Sequence, residues 1–510
     1  MLFKKLDEEK AVSYAVPQPD SGLEEAISPR LSETVGRLRQ LCGGTADLQV
    51  NELTVAGEPA AFVMFEGLVN DQTLILGTAD QVGRAAEGET PARRLESIYS
   101  SLFMAGDKKK FSTYGELIAF ISSGFAVLLL DGAAEGIAFG VQGFNFRSVG
   151  EPSSENNLRG SREGFAEPIR INMSMIRRRL KTPSLCMKLL KIGVKSQTDV
   201  CLIYRSDYVD RGMLRELEER LGQVKLDNLL DSGYLRPFLE SGPFSLFSGS
   251  GVTERPDTLC AKISEGRIGI LVDGSPFAIV VPYLFSENFQ SMDDYAERPY
   301  YAVFMRLLKY FAFFLTILLP GSYVAAVNFH PELIPDELLF KVAQAEQGMA
   351  FPLMFEALFI HFIYELMREA GLRLPRPVGH AVSIIGALVI GDAAVSAGLI
   401  STPMVMVVAL TTISSFVIPS LYEPVAVLRL MFILLGGTLG LFGMVLGLAF
   451  VGVNLCSVTV LGVPATSPET PLSIYSLRDT ILRMSWKELG RRQFIISRTE
   501  GADMGEEERG

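Results

Sequence analysis

Apolar positions are spread unevenly along the chain. From Phe304 to Val453 they predominate, and within residues 378–418 the only charged side chain is Asp392. A helix of ~20 apolar residues crosses a ~30 Å hydrocarbon core. The run over 378–418 is about twice that length and is broken at Ser401-Thr402-Pro403. Proline donates no backbone hydrogen bond and disfavours helix at the residue before it. The pattern therefore predicts full spans over 379–400 and 404–421, another over 425–455, and one ahead of them over 307–327.

The stretch 350–367 (AFPLMFEALFIHFIYELM) is ambiguous. It spans if the bilayer thins around it, yet it carries Glu356, His361 and Glu365. On a helix His361, Glu365 and Arg368 share one face. The stretch reads either as an amphipathic helix in the interface or as a span whose polar face meets other helices. Arg306 and Lys309 flank the entry of the first span, and Arg478, Arg483, Lys487, Arg491 and Arg492 follow the last. Positive flanks mark the cytoplasmic side, and two ends on one side require an even number of crossings. Four full spans plus an interfacial helix is the preferred reading.

The polar half has a different rhythm. Residues 1–35 read as a flexible tail. Residues 36–150 mix strand-like runs (51–55, 60–66, 126–130, 136–141) with helical stretches, which indicates an α/β lobe. Residues 151–168 read as a linker, and 169–298 repeat the first plan. Ile121-Ser-Ser-Gly leads to Asp131-Gly132 just as Ile263-Ser-Glu-Gly leads to Asp273-Gly274, and residues 53–69 resemble 190–209. This predicts tandem α/β soluble lobes, followed by an α-helical multi-pass membrane domain over 299–456 and a cytoplasmic tail over 457–510. A cleft between such lobes suits a small ligand, and an assembly platform fits equally.

Composition narrows the chemistry. The net charge of −11 does not favour nucleic-acid binding, which calls for a clustered basic face. The five cysteines form no CxxC pair, and the three histidines (His330, His361, His380) all lie in the apolar half. The soluble half thus lacks the usual general base and zinc ligands, so neither an enzyme nor a cofactor or metal site is expected. Residues 248–251 (SGSG) and 159–164 (RGSREG) lack the Walker or GxGxxG spacing of phosphate loops. The first residues show no apolar leader, and few, scattered thiols suit a reducing compartment, so the lobes are expected on the cytosolic side.

Four residues are candidates for a pore or gate. Asp392 stands mid-span, where carboxylates usually face a bundle interior or a wet path. Glu356, His361 and Glu365 form the polar positions of the ambiguous helix. Gly436, Gly440, Gly443 and Gly447 make two GxxxG pairs, a close-packing pattern.

Several runs together resemble one family, the A subunits of GerA-type spore germination receptors. They are Arg159–Phe165 (RGSREGF), Ile176–Leu180 (IRRRL), Thr253–Asp257 (TERPD), Asp273–Ala278 (DGSPFA), Phe329–Glu332 (FHPE), Arg373–Pro377 (RLPRP) and Ile384–Gly391 (IIGALVIG). The resemblance implies a multi-pass protein of the spore inner membrane that works with a transporter-like B subunit and a C lipoprotein. It also implies a homo-oligomeric, pentameric ion channel that releases cations when nutrient is sensed. A stage V sporulation branch is equally open. In the family pattern the position of Asp392 is more often Gln, so this chain departs from it there. A transporter subunit and a non-conducting scaffold are the competing classes.

Overall fold

The computed structural model describes residues 12–15, 23–55, 57–70, 90–101, 108–143, 150–240 (except 153, 156 and 158), 242, 245–374, 391–468, 478–489 and 493–496. In chain order these form β1 (Val12–Ala15), α1 (Leu31–Leu41), β2 (Leu48–Val55), β3 (Glu58–Phe65), α2 (Pro91–Ser101), β4 (Lys108–Phe111), α3 (Tyr114–Ser122), β5 (Ala126–Leu130) and β6 (Gly136–Phe139). The second lobe adds α4 (Ile169–Arg179), β7 (Leu185–Ile192), β8 (Thr198–Arg205), α5 (Arg211–Gly222), β9 (Gly251–Thr253), α6 (Pro256–Ser264), β10 (Ile268–Val272) and β11 (Ala278–Val281).

The two lobes share one topology. Each holds a five-stranded antiparallel sheet, in the order β2-β3-β5-β6-β4 and β7-β8-β10-β11-β9. The central strands AVLLL and IGILV are buried at every position, because helices and loops cover both sheet faces and leave no polar side to alternate with. In the first lobe Leu38, Leu117 and Ile121 close one face, and Leu95 and Ile98 close the other.

The repeated Asp-Gly has a definite job in both lobes. Asp131 Oδ1 accepts from the Leu31 amide at 2.8 Å, and Asp273 Oδ1 accepts from the Ile169 amide at 3.0 Å. Each aspartate thus caps the first helix of its own lobe from a distant turn, satisfying an N–H that the helix leaves orphaned. Gly132 and Gly274 sit at φ 82° and 85°, which a side chain would strain.

The lobes are bolted together. Arg177 of α4, fully buried, grips Asp47 of the first lobe with bonds of 2.7 and 2.9 Å and lies 4.2 Å above the Phe65 ring. Its remaining donors reach the Thr45 hydroxyl and the Thr182 and Leu185 carbonyls. A planar five-donor fork suits such a buried bidentate site.

Beyond the second lobe come α7 (Pro299–Phe329), α8 (Asp336–Glu346), α9 (Leu353–Arg373), α10 (Gly391–Ser396), α11 (Thr402–Ser415) and α12 (Tyr422–Ser457). Among the described residues two segments are long and apolar enough to cross a membrane, Pro299–Phe329 and Pro419–Ser457. The second departs from the single span expected over 425–455. Gly440 takes φ 61° and ψ −145°, and the chain reverses there. A side chain on Gly443 would strike the Leu435 carbonyl, and one on Gly447 would meet Phe432 at 2.7 Å and Leu435 at 2.9 Å. The helix α12 is therefore a hairpin of two arms, 422–439 and 441–457, each rising about 26 Å. Gly440 is its turn, and it also packs against Phe329, whose side chain an added Cβ would meet at 3.1 Å.

Other expectations shift too. The span expected over 404–421 is a 14-residue helix, α11, which ends before Pro419. Most of the span expected over 379–400 lies outside the described residues, as does His380. The helix α9 does not lie apart as an interfacial helix. Its start meets the distal part of the first α12 arm, through Met354 beside Gly437, and Glu365 reaches Tyr422 and Arg429 near that arm's beginning. It therefore runs alongside α12, in the opposite direction to that arm.

Described segments from the two ends of the chain meet each other. The strand β1 pairs with β14 (Gln493–Ile496), and Ile496 is buried in the second lobe's core. The hairpin β12 (Thr459–Val460) and β13 (Val463–Pro464) adds Val460, Leu461 and Val463 to that core. The linker is docked as well, with the Arg255 guanidinium donating to the Ser161 carbonyl at 2.9 Å and the Thr253 hydroxyl to Glu155 at 2.6 Å.

The approach of α7 to α12 yields a test. A Cβ on Gly436 would collide with the Gly321 carbonyl, whereas Gly452 faces open space. Gly436→Ala is expected to destabilise the helical domain by about 1–3 kcal/mol, the usual result of overpacking. Gly452→Ala should be neutral or mildly stabilising, and thermal unfolding of the full chain in detergent distinguishes the two.

Candidate functional site

The helical domain holds a polar seam along α9. Glu356, on the first turn and fully buried, accepts from the amide and hydroxyl of Ser401, both at 2.7 Å. Ser401 precedes α11, so the carboxylate caps that helix and complements its dipole. The other carboxylate oxygen of Glu356 is buried without a partner. One turn and a half later His361 is equally buried. Its Nδ1 lies 2.8 Å from the Ala357 carbonyl, and its Nε2 has no partner.

Farther along the same face, Glu365 takes hydrogen bonds from the Tyr422 hydroxyl and from Arg429 of the first α12 arm. Arg368 stands 3.8 Å from Glu365 and lies over the Tyr422 ring. Arg429 is almost wholly buried, and its Nε and Nη1 are unpartnered. A buried guanidinium held by a single carboxylate is held insecurely. The seam therefore joins three helices through few bonds, with donors and acceptors to spare.

Sequence reasoning places Glu356, His361 and Glu365 on one helix, and the structure brings all three against α11 or α12. Asp392 is apart from them. It is exposed on α10, and among the described residues no hydrogen bond or ion pair joins it to the other three. Gly436, Gly443 and Gly447 line helix contacts inside this one chain. Arg429, Tyr422 and Ser401 were missed. Arg429 carried the clearest signal, a lone charge inside an apolar run.

A second cluster lies where the second lobe meets α7. Arg306, fully buried, binds Asp294 at 2.8 Å, the Asp479 carboxylate at 3.2 Å and the Asp479 and Thr480 carbonyls at 2.8 and 3.0 Å. The Tyr295 hydroxyl donates to Asp479 at 2.9 Å. Burial pushes the Asp479 carboxyl up to about 6, against the pull of Arg306. In the soluble half, burial pushes the Cys42 and Cys260 thiols up to about 12, which keeps them protonated and poorly nucleophilic. The runs RGSREGF, IRRRL and TERPD converge on one patch, where Glu163 binds Arg178 and Arg179 and the Phe165 amide donates to the Glu254 carbonyl at 2.8 Å. Their contacts hold the linker to the second lobe.

Comparison with known proteins points one way. The family described as Bacillus/Clostridium GerA spore germination protein matches residues 36–495. Spore germination protein KA of Bacillus subtilis is 35% identical over 488 residues, covering 95% of this chain and 90% of that protein. Spore germination protein B1 of the same organism is 36% identical over 472 residues, 91% of this chain and 97% of that protein. An uncharacterized membrane protein, YfkQ, is 34% identical over 497 residues, 95% of each chain. The crystal structure of the N-terminal domain of the A subunit of the Bacillus megaterium germinant receptor GerK3 aligns with a TM-score of 0.40 at 25% identity, covering 51% of this chain and 98% of that one.

Two tests follow from the clusters. Glu365→Ala strands Arg429 and is expected to cost about 3–5 kcal/mol, while adding Arg429→Met should restore much of the loss, as replacing a whole buried pair usually does. Thermal unfolding of the single and double variants in detergent checks this. Asp479 has a folded pKa above its unfolded value, so its contribution is present at low pH and lost as pH rises through about 6. The thermal midpoint of the native chain minus that of Asp479→Asn should therefore fall between pH 4.5 and pH 7.

Proposed function

The chain belongs to the GerA family of spore germination proteins, and we propose that it acts as the A subunit of a germinant receptor, forming an oligomeric cation channel in the spore's inner membrane. Nutrient sensed by the receptor opens the channel, and the cations released commit the spore to germinate. A transporter-like B subunit and a C lipoprotein are its partners, a pentamer is the expected assembly, and the lobes lie on the cytoplasmic side.

The observation that carries this reading is the buried seam of α9. Ionisable groups with unpartnered polar atoms, set in an otherwise apolar helical domain, usually mark an ion path or its gate. The helix directions support membrane crossing. α7 leaves the second lobe, both arms of α12 run between that side and Gly440, and α9 and α11 run between the same two faces. So few helices in one chain do not enclose a wet path, whereas several copies about an axis do. Asp392, exposed on the single chain, is free to form a ring of carboxylates facing that axis. Glu356 and His361, buried within the chain, then act on helix position rather than on the ion directly.

The scaffold reading draws on one feature, the filled joint between the lobes, where Arg177 and Asp47 occupy the place a ligand cleft would take. Single-channel recording in planar bilayers, with the oligomer mass measured in parallel, decides between them. Discrete cation currents whose conductance falls in Asp392→Asn are expected. An oligomer that stays silent both alone and co-expressed with its partner subunits would establish the scaffold.

A further inference from the structure

The cavity at the root of α7 has chemistry that neither the seam nor the lobes use. It has a volume of about 690 Å³ and is lined by Arg159, Arg298, Tyr300, Arg483, Trp486 and Lys487, among others. Four cations thus face it, against one carboxylate, Glu297. Among the described residues none of the four forms an ion pair. Arg483 is the informative one. It is 3% exposed, its Nη2 donates to the Tyr295 carbonyl at 3.2 Å, and its guanidinium lies 5.5 Å from the Trp486 ring centroid. Its Nε has no partner. A buried guanidinium without a carboxylate calls for an anion from outside the chain. The cavity also opens at the N-terminus of a 31-residue helix, where backbone N–H groups and the helix dipole favour negative charge.

The surroundings say what bears that anion. Below the cavity, Tyr300, Phe304, Leu307 and Phe311 are 72%, 60%, 51% and 63% exposed. Their spacing of four, three and four residues sets them on one face of α7. Trp486, 61% exposed at the rim, donates its indole N–H to the Tyr295 carbonyl at 3.1 Å. Tyrosine and tryptophan above an apolar stripe is the arrangement found at headgroup level, and basic residues there attract anionic lipid.

We propose that this cavity binds the phosphate headgroup of an anionic phospholipid, whose acyl chains lie along the Tyr300–Phe311 face of α7. Arg483 and Arg298 grip the phosphate, Lys487 and Arg159 add charge at the rim, and the bound lipid ties the C-terminal tail to the root of the first membrane helix. The inference rests on the membrane placement proposed above.

The experiment uses the full chain in nanodiscs of phosphatidylglycerol mixed with phosphatidylcholine, with the lipids retained after extraction counted by native mass spectrometry. The native chain should retain phosphatidylglycerol in preference to phosphatidylcholine by roughly tenfold or more. The exposed double variant Arg298→Gln/Lys487→Gln should lose that preference with its thermal midpoint unchanged, and Arg483→Gln should lose it as well. Equal retention of both lipids by the native chain, or an undiminished preference in the double variant, overturns the proposal. So does inorganic phosphate that protects the detergent-solubilised chain from heating as well as short-chain phosphatidylglycerol does, since the site would then serve a free anion. A chain that enters no bilayer of either composition fails at the membrane placement instead.

Discussion

The reversal at Gly440 is the constraint on which the rest of the molecule depends. A 36-residue apolar helix left straight would extend ~54 Å, well beyond a ~30 Å hydrocarbon core. It would also carry the C-terminal segment away from the lobes. Folded at a glycine in a left-handed conformation, the same residues make two arms and bring Ser457 back to the side from which α7 departs. The described segments after residue 457 then lie within reach of the second lobe. The hairpin β12–β13 completes its core, β14 lies beside the Glu265 turn with Ile496 donating to its carbonyl, and Asp479 reaches Arg306. Packing enforces the turn: Gly443 and Gly447 of the returning arm admit the Leu435 backbone and the Phe432 ring of the first arm, and Gly436 admits Gly321 of α7.

The polar groups of the helical domain follow from that packing. Removing a charge from water is tolerable only when it is paired or hydrogen-bonded. Glu356 meets this through the amide and hydroxyl of Ser401, Glu365 through Arg429 and Tyr422. Among the described residues neither set is complete, since one oxygen of Glu356 and two donors of Arg429 find no bond there. A rigid structural core satisfies such groups fully. The seam between α9, α11 and α12 departs from that pattern among the described residues.

Much of this was readable in the residues. The Asp-Gly repeat gave the duplicated lobes, because a cap that reaches back to the first helix of its lobe needs the same acceptor at the same place in each copy. The apolar segment gave the helical domain and its first helix. Its length misled over the last one, because a glycine turn inside a run of glycines, leucines and phenylalanines leaves no break in hydropathy. The helix α11 was overestimated for a related reason, since the apolar residues after Ser415 continue the pattern without continuing the helix. Glu356, His361 and Glu365 were legible as a polar face, but their partners were not. Ser401 and Tyr422 are distant in sequence and ordinary in type, and only the fold brings them close. The Arg177–Asp47 bolt was equally hidden, for a fully buried arginine is indistinguishable in sequence from its half-buried neighbours Arg178 and Arg179.

These parts combine into a mechanical path. The lobes move as one body because Arg177 fills the joint between them. That body is fixed to α7 by Arg306, whose guanidinium spans Asp294 at the end of the second lobe and the carbonyls of the returning tail. From there α7 continues without a break to Phe329, beside Gly440 at the far end of the hairpin. Its backbone touches that of α12 at Gly321 and Gly436, with no side chain between to absorb displacement. Contacts thus run without interruption from the lobes to the first arm of α12, and through Arg429 to Glu365 on α9. At its end α12 meets α9 through the Arg429–Glu365 ion pair and the Tyr422–Glu365 hydrogen bond, so the path from the lobes runs into the seam.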